Sequence, residues 1–376
     1  MLNVLPLSGL RRAPRALVKV NGTPLLGCVS WQIDNNANYQ ADTFTASYAA
    51  GALPSDRNAA WLTAQADLSL EILAGFPADP NAPIAGELMS FILGRVDDVQ
   101  FDALENTITL SGRDYTSQLI DTKTSEVFAN QTTTKIVELL AARHNMTANA
   151  APSTVLVGSY YEIDHRRLTD EHTEWDLLTW LAHQAQASVW VSGTTLNFQP
   201  LPDPSTSETY VIQWTAPSRT NASASANLAS LKFARNLTLA KDVTVIVHTF
   251  NSKQKKGFSV TAKASHSKNK VLRNATIPYG QPQIYTYTIP GLTQAQAQAR
   301  ANALLASISQ HEVRLEASLP ADNILTTRDL VTVQGTGTAF DQVYYPDSVI
   351  RSMSQTAGYR MELNAKNHSP ESTVDL

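Results

Sequence analysis

The sequence contains little cysteine, little charge and no long apolar run. One cysteine, Cys28, stands among 376 residues, which excludes an internal disulfide and a cysteine-based metal site; we expect a buried structural thiol. Charged residues make up 16% of the chain and the formal net charge is −4, which argues against a dedicated nucleic-acid binder, because such proteins carry a basic surface. No segment reaches the roughly 18 apolar residues of a membrane span, and the N-terminus lacks the apolar stretch of a secretory signal.

Signatures of catalysis are also missing. The chain has no P-loop, no HExxH zinc motif and no G-x-S-x-G nucleophile elbow. The best metal candidate is a polar loop that contains His165, Asp170, Glu171 and His172. Because a polar loop before a capped helix needs no ion to explain it, we predict no catalytic residue, no cofactor and no metal.

A glycan-cleaving enzyme needs two carboxylates that converge on one bond. Asp97 and Asp98 are adjacent in a strand-like segment, so their side chains are expected to face opposite sides. The spacing of Glu162, Asp164 and Asp176 does not imply convergence either. We therefore interpret these carboxylates as surface residues, and a peptidoglycan-degrading or glycan-binding protein is the alternative.

The sequence does contain strand patterns at both ends. Apolar and polar residues alternate in the first third, and the segments GRVDDVQF and NTITL, joined by DALE, predict a hairpin. These patterns favour a small β-barrel or sandwich. Alternation of the same style returns in the last third of the chain, together with one long helix.

The helices are marked by their caps. Thr173 and Asp176 form a capping box ahead of LLTWLAHQAQA, and a hairpin follows this helix directly. Thr293 and Gln296 form a second capping box ahead of the longest helical pattern. The sequence therefore predicts a helical segment in the middle of the chain and a further helix among the C-terminal strands.

Several segments, taken in order along nearly the whole chain, resemble one family. They are SWQIDNNANYQADTF, GRVDDVQFD, SGRDYTSQLIDTKT, TEWDLLTWLAHQA followed by VWVSGTTLNFQP, IPGLTQAQAQARANALLASISQHE, and GTGTAFDQVYYPDSV. The series resembles the tail-hub (baseplate hub) proteins of contractile-tailed bacteriophages, the late-control protein D group. The order of the segments carries this resemblance, since none of them is a catalytic signature.

The resemblance implies a mixed, mainly β (α+β) fold with two tube-like antiparallel β-barrels and a helical insert domain. Three chains would form a homotrimer in which six barrels make a pseudo-sixfold ring. The expected divisions are a first barrel, a helical insert ending in a hairpin, a linker with return strands, a second barrel with one long helix, and a tail, at residues 1–122, 123–205, 206–234, 235–366 and 367–376.

The resemblance also implies a role in the virion. The expected partners are the tail tube protein, a trimeric spike protein and the baseplate wedge proteins, with DNA passing through the lumen without specific binding and no membrane insertion. The related type VI secretion spike fuses hub and spike, and this chain has no β-helix repeats, so a separate spike is expected. Assembly in the bacterial host cytoplasm is expected, and the hub of a phage-derived contractile bacteriocin is an alternative.

Two charged features are candidate assembly contacts. Arg113 and Asp114, in SGRDYTSQLIDTK, stand where the first barrel meets the insert, so we interpret them as a seam or hinge pair. Replacing Arg113 with alanine is expected to impair trimer assembly. The lysine-rich run at residues 253–270 includes Lys255 and Lys256 and is typical of a hairpin tip and a guarded strand edge; docking on an acidic neighbour is the alternative. We expect this run to face away from the channel.

Overall fold

The computed structural model of the chain is mostly β, with 51% strand and 18% helix, which confirms the predicted mainly β (α+β) class. Strands come from both ends of the chain, and helices are few. The structure describes residues 1–3, 13–37, 39–83, 86–124, 126, 128, 131–154, 156–157, 172–185, 187–202, 206–218, 223–235, 243–251, 256–263, 283–309 and 313–367.

The described residues of the N-terminal region form seven strands and one helix, which we call the first β-unit. They are β1 (Arg15–Val20), β2 (Thr23–Pro24), β3 (Cys28–Asn36), β4 (Thr43–Ala49), α1 (Ala59–Ala64), β5 (Ser69–Gly75), β6 (Leu88–Asp102) and β7 (Thr107–Asp114), with 3-10 turns at Ala50–Ala52 and Ser55–Arg57. The predicted hairpin is confirmed, because β6 pairs with β7 in antiparallel register. Inward-facing residues of the alternating strands, such as Ile72, Ile108 and Leu110, are fully buried in one core.

The next region is the helical insert, which has its own core. Its elements are α2 (Thr116–Asp121), β8 (Lys123–Thr124), β9 (Gln131–Thr132), α3 (Thr133–Arg143), β10 (Thr147–Ala150), β11 (Leu156–Val157), β12 (His172–Thr173), α4 (Glu174–Ala185), β13 (Ala187–Ser192) and β14 (Thr195–Pro200). The predicted capping box is confirmed, since the Asp176 N–H donates to Thr173 Oγ1 at 3.0 Å and the Thr173 N–H donates to Asp176 Oδ2 at 3.1 Å. Helices α3 and α4 pack with the three-stranded sheet β10-β14-β13.

The remaining elements form a second β-unit and a small α/β insert. They are β15 (Thr209–Thr215), β16 (Ser225–Ala226), β17 (Ser230–Arg235), β18 (Val243–Asn251), β19 (Lys256–Lys263), β20 (Gln283–Thr288), α5 (Gln294–Ser309), β21 (Val313–Pro320), β22 (Leu330–Gln334), β23 (Val343–Ser354) and β24 (Gly358–Lys366). Strands β18–β20 and helix α5 make the α/β insert, and the other strands make the second β-unit. The second capping box is confirmed, because the Thr293 N–H donates to Gln296 Oε1 at 3.0 Å.

The topology divides the C-terminal half differently from the sequence prediction. Strands β15–β17, in the segment expected to be a linker with return strands, belong to the second β-unit, and β15 pairs with β22 in parallel. Helix α5, expected within the second barrel, packs on β18 and β19 outside the large sheet. Alternating patterns identify strands without identifying their partners, and this is why the grouping differs.

Within the ranges that the structure describes, both β-units belong to one continuous 14-stranded sheet. They are joined by antiparallel pairing of β3 with β23, from Ser30↔Ser354 to Asn36↔Ser348. We call this pairing the internal seam. It connects strands from opposite ends of the chain, so no local sequence signal predicts it.

The two β-units share one strand order. It runs β3-β4-β7-β6-β5-β1 in the first unit and β17-β21-β24-β23-β22-β15 in the second. Hairpin β6–β7 therefore corresponds to hairpin β23–β24, and β3 corresponds to β17. One difference is that β1 pairs with β5 in antiparallel fashion, whereas β15 pairs with β22 in parallel.

A shared β-bulge fixes this correspondence residue by residue. Each hairpin skips one residue in its register, Asp97 in the first unit and Asp347 in the second. In each unit the following strand supplies a basic partner: Arg113 Nε lies 2.7 Å from Asp97 Oδ2, and Lys366 Nζ lies 2.8 Å from Asp347 Oδ1. The repeat thus extends from strand order to individual ion pairs.

Candidate assembly surface

The internal seam is held by more than its backbone ladder. Arg351, at an inward-facing position of β23, is only 1% exposed. Its guanidinium lies 4.5 Å from the Phe91 ring centroid of the first β-unit and donates to the carbonyl oxygens of Asp322, at 3.1 Å, and Leu325. A buried arginine is stable only when its charge is compensated in this way. Arg351 therefore fixes the two β-units against each other.

A second, partly buried cluster of charged residues lies where both β-units meet the helical insert. Asp42 follows β3, and its carboxylate accepts hydrogen bonds from the Asn36 N–H at 2.7 Å and from Asn35 Nδ2 at 2.8 Å. Asp114 ends β7, is 5% exposed, and accepts hydrogen bonds from the Thr116 N–H and hydroxyl at 3.2 and 2.9 Å. Both carboxylates are used to shape local turns.

Arg328, from the segment before β22, completes this cluster. Its Nη1 donates to the Asn36 carbonyl oxygen at 3.2 Å, and its guanidinium lies 4.8 Å from the ring centroid of Trp190 on β13. One side chain of the second β-unit thus contacts the first β-unit and the helical insert together.

The electrostatics of the cluster are set by burial. Burial raises the pKa of Asp114 well above its ordinary value, and the nearby charge of Asp42 raises it further. Burial also raises the pKa of Asp42, while the Arg328 charge acts in the opposite direction. The pKa of Arg328 is lowered by its own burial. The cluster therefore disfavours two ionised carboxylates at once.

The loop between β3 and β4 docks the first β-unit onto the helical insert. The Tyr39 hydroxyl donates to the Ala187 carbonyl oxygen at 2.7 Å, and Trp175 Nε1 donates to the Tyr39 carbonyl oxygen at 2.7 Å. The Tyr39 ring also meets His183 edge-on at 4.5 Å. Tyr39 has a φ of 64°, a conformation that a bulky residue keeps only when its contacts compensate for the strain.

The helical insert has its own buried ion-pair group, which sequence reasoning missed. Glu174 is fully buried at the start of α4 and accepts hydrogen bonds from Arg143 Nη1 and His144 Nε2, both at 2.5 Å. Arg143 Nη2 donates to Glu126 Oε2 at 2.6 Å. These contacts tie the end of α3 to the start of α4, so the group stabilises the insert.

Arg113 and Asp114 lie at the end of β7, where the first β-unit ends and the helical insert begins. Arg113 binds Asp97 on β6 and, at 3.3 Å, Asp121 at the end of α2. These strong hydrogen bonds raise the pKa of Arg113 above its ordinary value. The side chain of Asp114 faces inward, whereas that of Arg113 is partly exposed. The two residues are therefore not partners of each other.

The other predicted residues lie in varied places. Lys255 and most of the lysine run lie outside the described residues, and Lys256 begins β19. Cys28 is partly buried, its thiol donates to the Ser30 carbonyl oxygen at 3.4 Å, and burial raises its pKa to about 12, so it stays protonated at neutral pH.

The candidate carboxylates do not form a catalytic pair in the described part of the chain. Asp97 binds Arg113, Asp98 Oδ2 accepts a hydrogen bond from Gln100, and Asp176 caps α4. Glu162 and Asp164 lie outside the described residues, as do His165, Asp170 and Glu171. Within the described ranges no group of three histidine, cysteine or acidic residues is arranged to hold a metal, and no described helix is long and apolar enough to cross a membrane.

Several strand edges are open in the described part of the chain, and two of them are relevant to the repeat of the β-units. Among the described residues, β17 pairs only with β21. The outer half of β6, residues 97–102, pairs only with β7 in the same part of the chain, because its pairing with β5 ends at Arg95. Open edges present unused backbone donors and acceptors that can pair with another strand.

The sequence matches no protein-family model, and the curated proteins contain no significant match. Solved structures do match. The tail protein from Neisseria meningitidis MC58 is 15% identical, with a TM-score of 0.67 over 94% of this chain and 96% of that chain. The 43 kDa tail protein of prophage MuSo2 from Shewanella oneidensis is 15% identical, with a TM-score of 0.65 over 96% of this chain and 100% of that chain.

A third structure extends the comparison to a secretion system. The E. coli c3393 protein, described as a component of the type VI secretion system with structural similarity to the T4 phage tail proteins gp27 and gp5, is 12% identical. Its TM-score is 0.52 over 95% of this chain and 78% of that chain. At these identities the likeness concerns the fold: this chain has the fold of these phage tail proteins.

Proposed function

We propose that this chain is a structural protein of a phage tail, a hub that forms a trimeric ring between the hexameric tail tube and a trimeric spike. The main support is the pair of β-units with one strand order, joined edge to edge in a continuous sheet. Two similar units in each chain let three chains present six similar units to a sixfold tube. The fold likeness to phage tail proteins, over 94–96% of the chain, is consistent with this role.

The proposed partners are the tail tube protein, the spike protein and the baseplate wedge proteins, within the tail of a virion assembled in the host cytoplasm. The ring would form part of the channel through which DNA is ejected, without specific binding. The same role would serve a phage-derived contractile bacteriocin. We propose no enzymatic activity; among the candidate carboxylates that the structure describes, Asp97, Asp98 and Asp176 have structural partners.

Native mass tests the proposal. Purified chain at micromolar concentration is expected to give a mass about three times the 40.9 kDa of one chain by light scattering and native mass spectrometry. A second sample mixed with the tail tube protein of the same genome should form a larger complex. A chain that stays monomeric in both samples would contradict the hub.

A further inference from the structure

We propose that neighbouring copies of this chain join by pairing β17 of one copy with the outer half of β6 of the next, a contact that rests on the proposed hub function and gives it a specific interface. The partner is a second copy of the same chain. The inference comes from the repeat of the two β-units. The repeat gives each unit the same two strand edges, and within the chain an edge of one unit already pairs with an edge of the other.

The internal seam is that contact. There, β3 pairs with the outer half of β23, on the side of β23 away from β24. In the repeat, β17 corresponds to β3, and the outer half of β6 corresponds to the outer half of β23. Both are open among the described residues, as noted above. The chain therefore carries one used and one unused copy of the same pair of edges.

The repeat also fixes the register of the proposed contact. Thr43 on β4 corresponds to Arg314 on β21, so the residues that follow them, Phe44 and Leu315, also correspond. Ile33 pairs with Phe44, and Phe233 pairs with Leu315, so Ile33 corresponds to Phe233. Counted from the shared bulge, Arg351 corresponds to Phe101.

In the internal seam Arg351 lies opposite Ile33, and the next pair is Ser352↔Gln32. Transfer of this register places Phe101 opposite Phe233 and Asp102 opposite Lys232.

The transferred pairs are chemically complementary, although chemistry played no part in the transfer. Phe101 is 47% exposed, so its ring has apolar surface that a neighbouring strand can cover. Phe233 is partly buried and stacks on Phe340 at 4.8 Å, so it offers a rigid aromatic surface. Asp102 and Lys232 are both exposed and carry opposite charges. The Asp102 Oδ1 atom also accepts hydrogen bonds from the Leu104 and Glu105 N–H groups of the β6–β7 turn, both at 2.9 Å. Directly opposed aromatic and opposite-charge pairs stabilise antiparallel strands.

The contact is directional. Each copy offers one β17 edge and one β6 edge, so copies join head to tail, and such a contact closes into a ring or grows into a helix. In a closed ring of three copies, internal seams and seams between copies would alternate around six β-units. Every β-unit would then meet its neighbours through the same pair of edges.

Charge reversal tests the register. Lys232→Glu alone and Asp102→Lys alone are expected to shift the native mass at micromolar concentration from the multimer to 40.9 kDa. The double variant should restore the multimer, because it restores the opposed charges. Lys263→Glu, on an exposed lysine of β19 outside both edges, is the matched control and should leave the mass unchanged.

Crosslinking gives a second readout that does not depend on weakened assembly. In a Cys28→Ser background, the Phe101→Cys, Phe233→Cys double variant should form disulfide-linked multimers on mild oxidation, and each single cysteine should not. A wild-type multimer that survives both charge reversals and forms no crosslinked ladder overturns the interface and leaves the hub standing. A wild-type chain that remains monomeric overturns both.

Discussion

At the residue scale, the internal repeat makes Asp114 and Asn367 equivalent. Each directly follows the basic residue that binds the bulge aspartate, and each is buried, at 5% and 3% exposure. The first unit thus places a carboxyl where the second places an amide. The Asn367 side-chain oxygen accepts a hydrogen bond from the Val313 N–H at 2.8 Å, a role that needs no charge.

Asp114→Asn is expected to stabilise the protein at pH 8. The pKa of Asp114 is raised by folding, so the folded state binds more protons between the unfolded and folded pKa values, and the free energy of unfolding falls as pH rises through that interval. The amide cannot ionise, so the variant escapes this loss. We expect a higher unfolding temperature for the variant at pH 8, and this gain should disappear below about pH 4, the ordinary pKa range of an aspartate.

Thermal unfolding followed by circular dichroism between pH 4 and pH 8 measures this effect. Asn367→Asp supplies the reverse change at the equivalent position, and it should lower the unfolding temperature most at high pH. Equal unfolding temperatures for Asp114→Asn and wild type at pH 8 would contradict the assigned direction.

At the scale of elements, the β6–β7 hairpin depends on a glycine where the two strands approach each other closely. A Cβ at Gly112 would lie 1.9 Å from the Arg95 carbonyl oxygen and 2.7 Å from the Phe44 ring. Neither neighbour can yield without moving a strand or a buried side chain. Its counterpart in the second unit is Ala365. The second hairpin therefore has room for a Cβ at this position, whereas the first does not.

Gly112→Ala is therefore expected to destabilise the first β-unit by about 2 kcal/mol or more, the usual cost of overpacking. Urea unfolding followed by tryptophan fluorescence measures the loss. Gly257→Ala, at a strand glycine whose added Cβ would meet only ordinary contacts at 3.5 Å, is the control and should change stability little. Similar losses of unfolding free energy in both variants would show that the close approach of the strands at Gly112 is not the cause.

At the scale of the whole molecule, the low and slightly negative charge bears on the proposed channel. A net charge of −4 gives little of the phosphate neutralisation that drives salt-dependent DNA affinity. We expect no binding of a short DNA duplex at about 0.15 M salt and micromolar protein, measured by fluorescence anisotropy. Submicromolar DNA binding that weakens steeply with salt would contradict a channel wall that lets DNA pass without binding it.

The sequence by itself determined the local structure of this protein. Alternation predicted the β6–β7 hairpin, and the capping boxes at Thr173 and Thr293 marked the starts of α4 and α5, because caps and periodicity depend on residues close together in the chain. Arg351 was missed, although its position in an alternating strand was a usable signal. No local signal existed for Arg328, whose partners belong to other parts of the chain.

Only the tertiary structure decided how the strands combine. The internal seam, the parallel β15–β22 pair and the separate α/β insert depend on contacts between segments far apart in sequence. The repeat of the two β-units is hidden in the sequence because insertions of different length change the spacing between equivalent residues. Phe101 and Phe233 become related only when each is placed in its sheet, since strand pairing is set by hydrogen-bond register in space and not by distance along the chain.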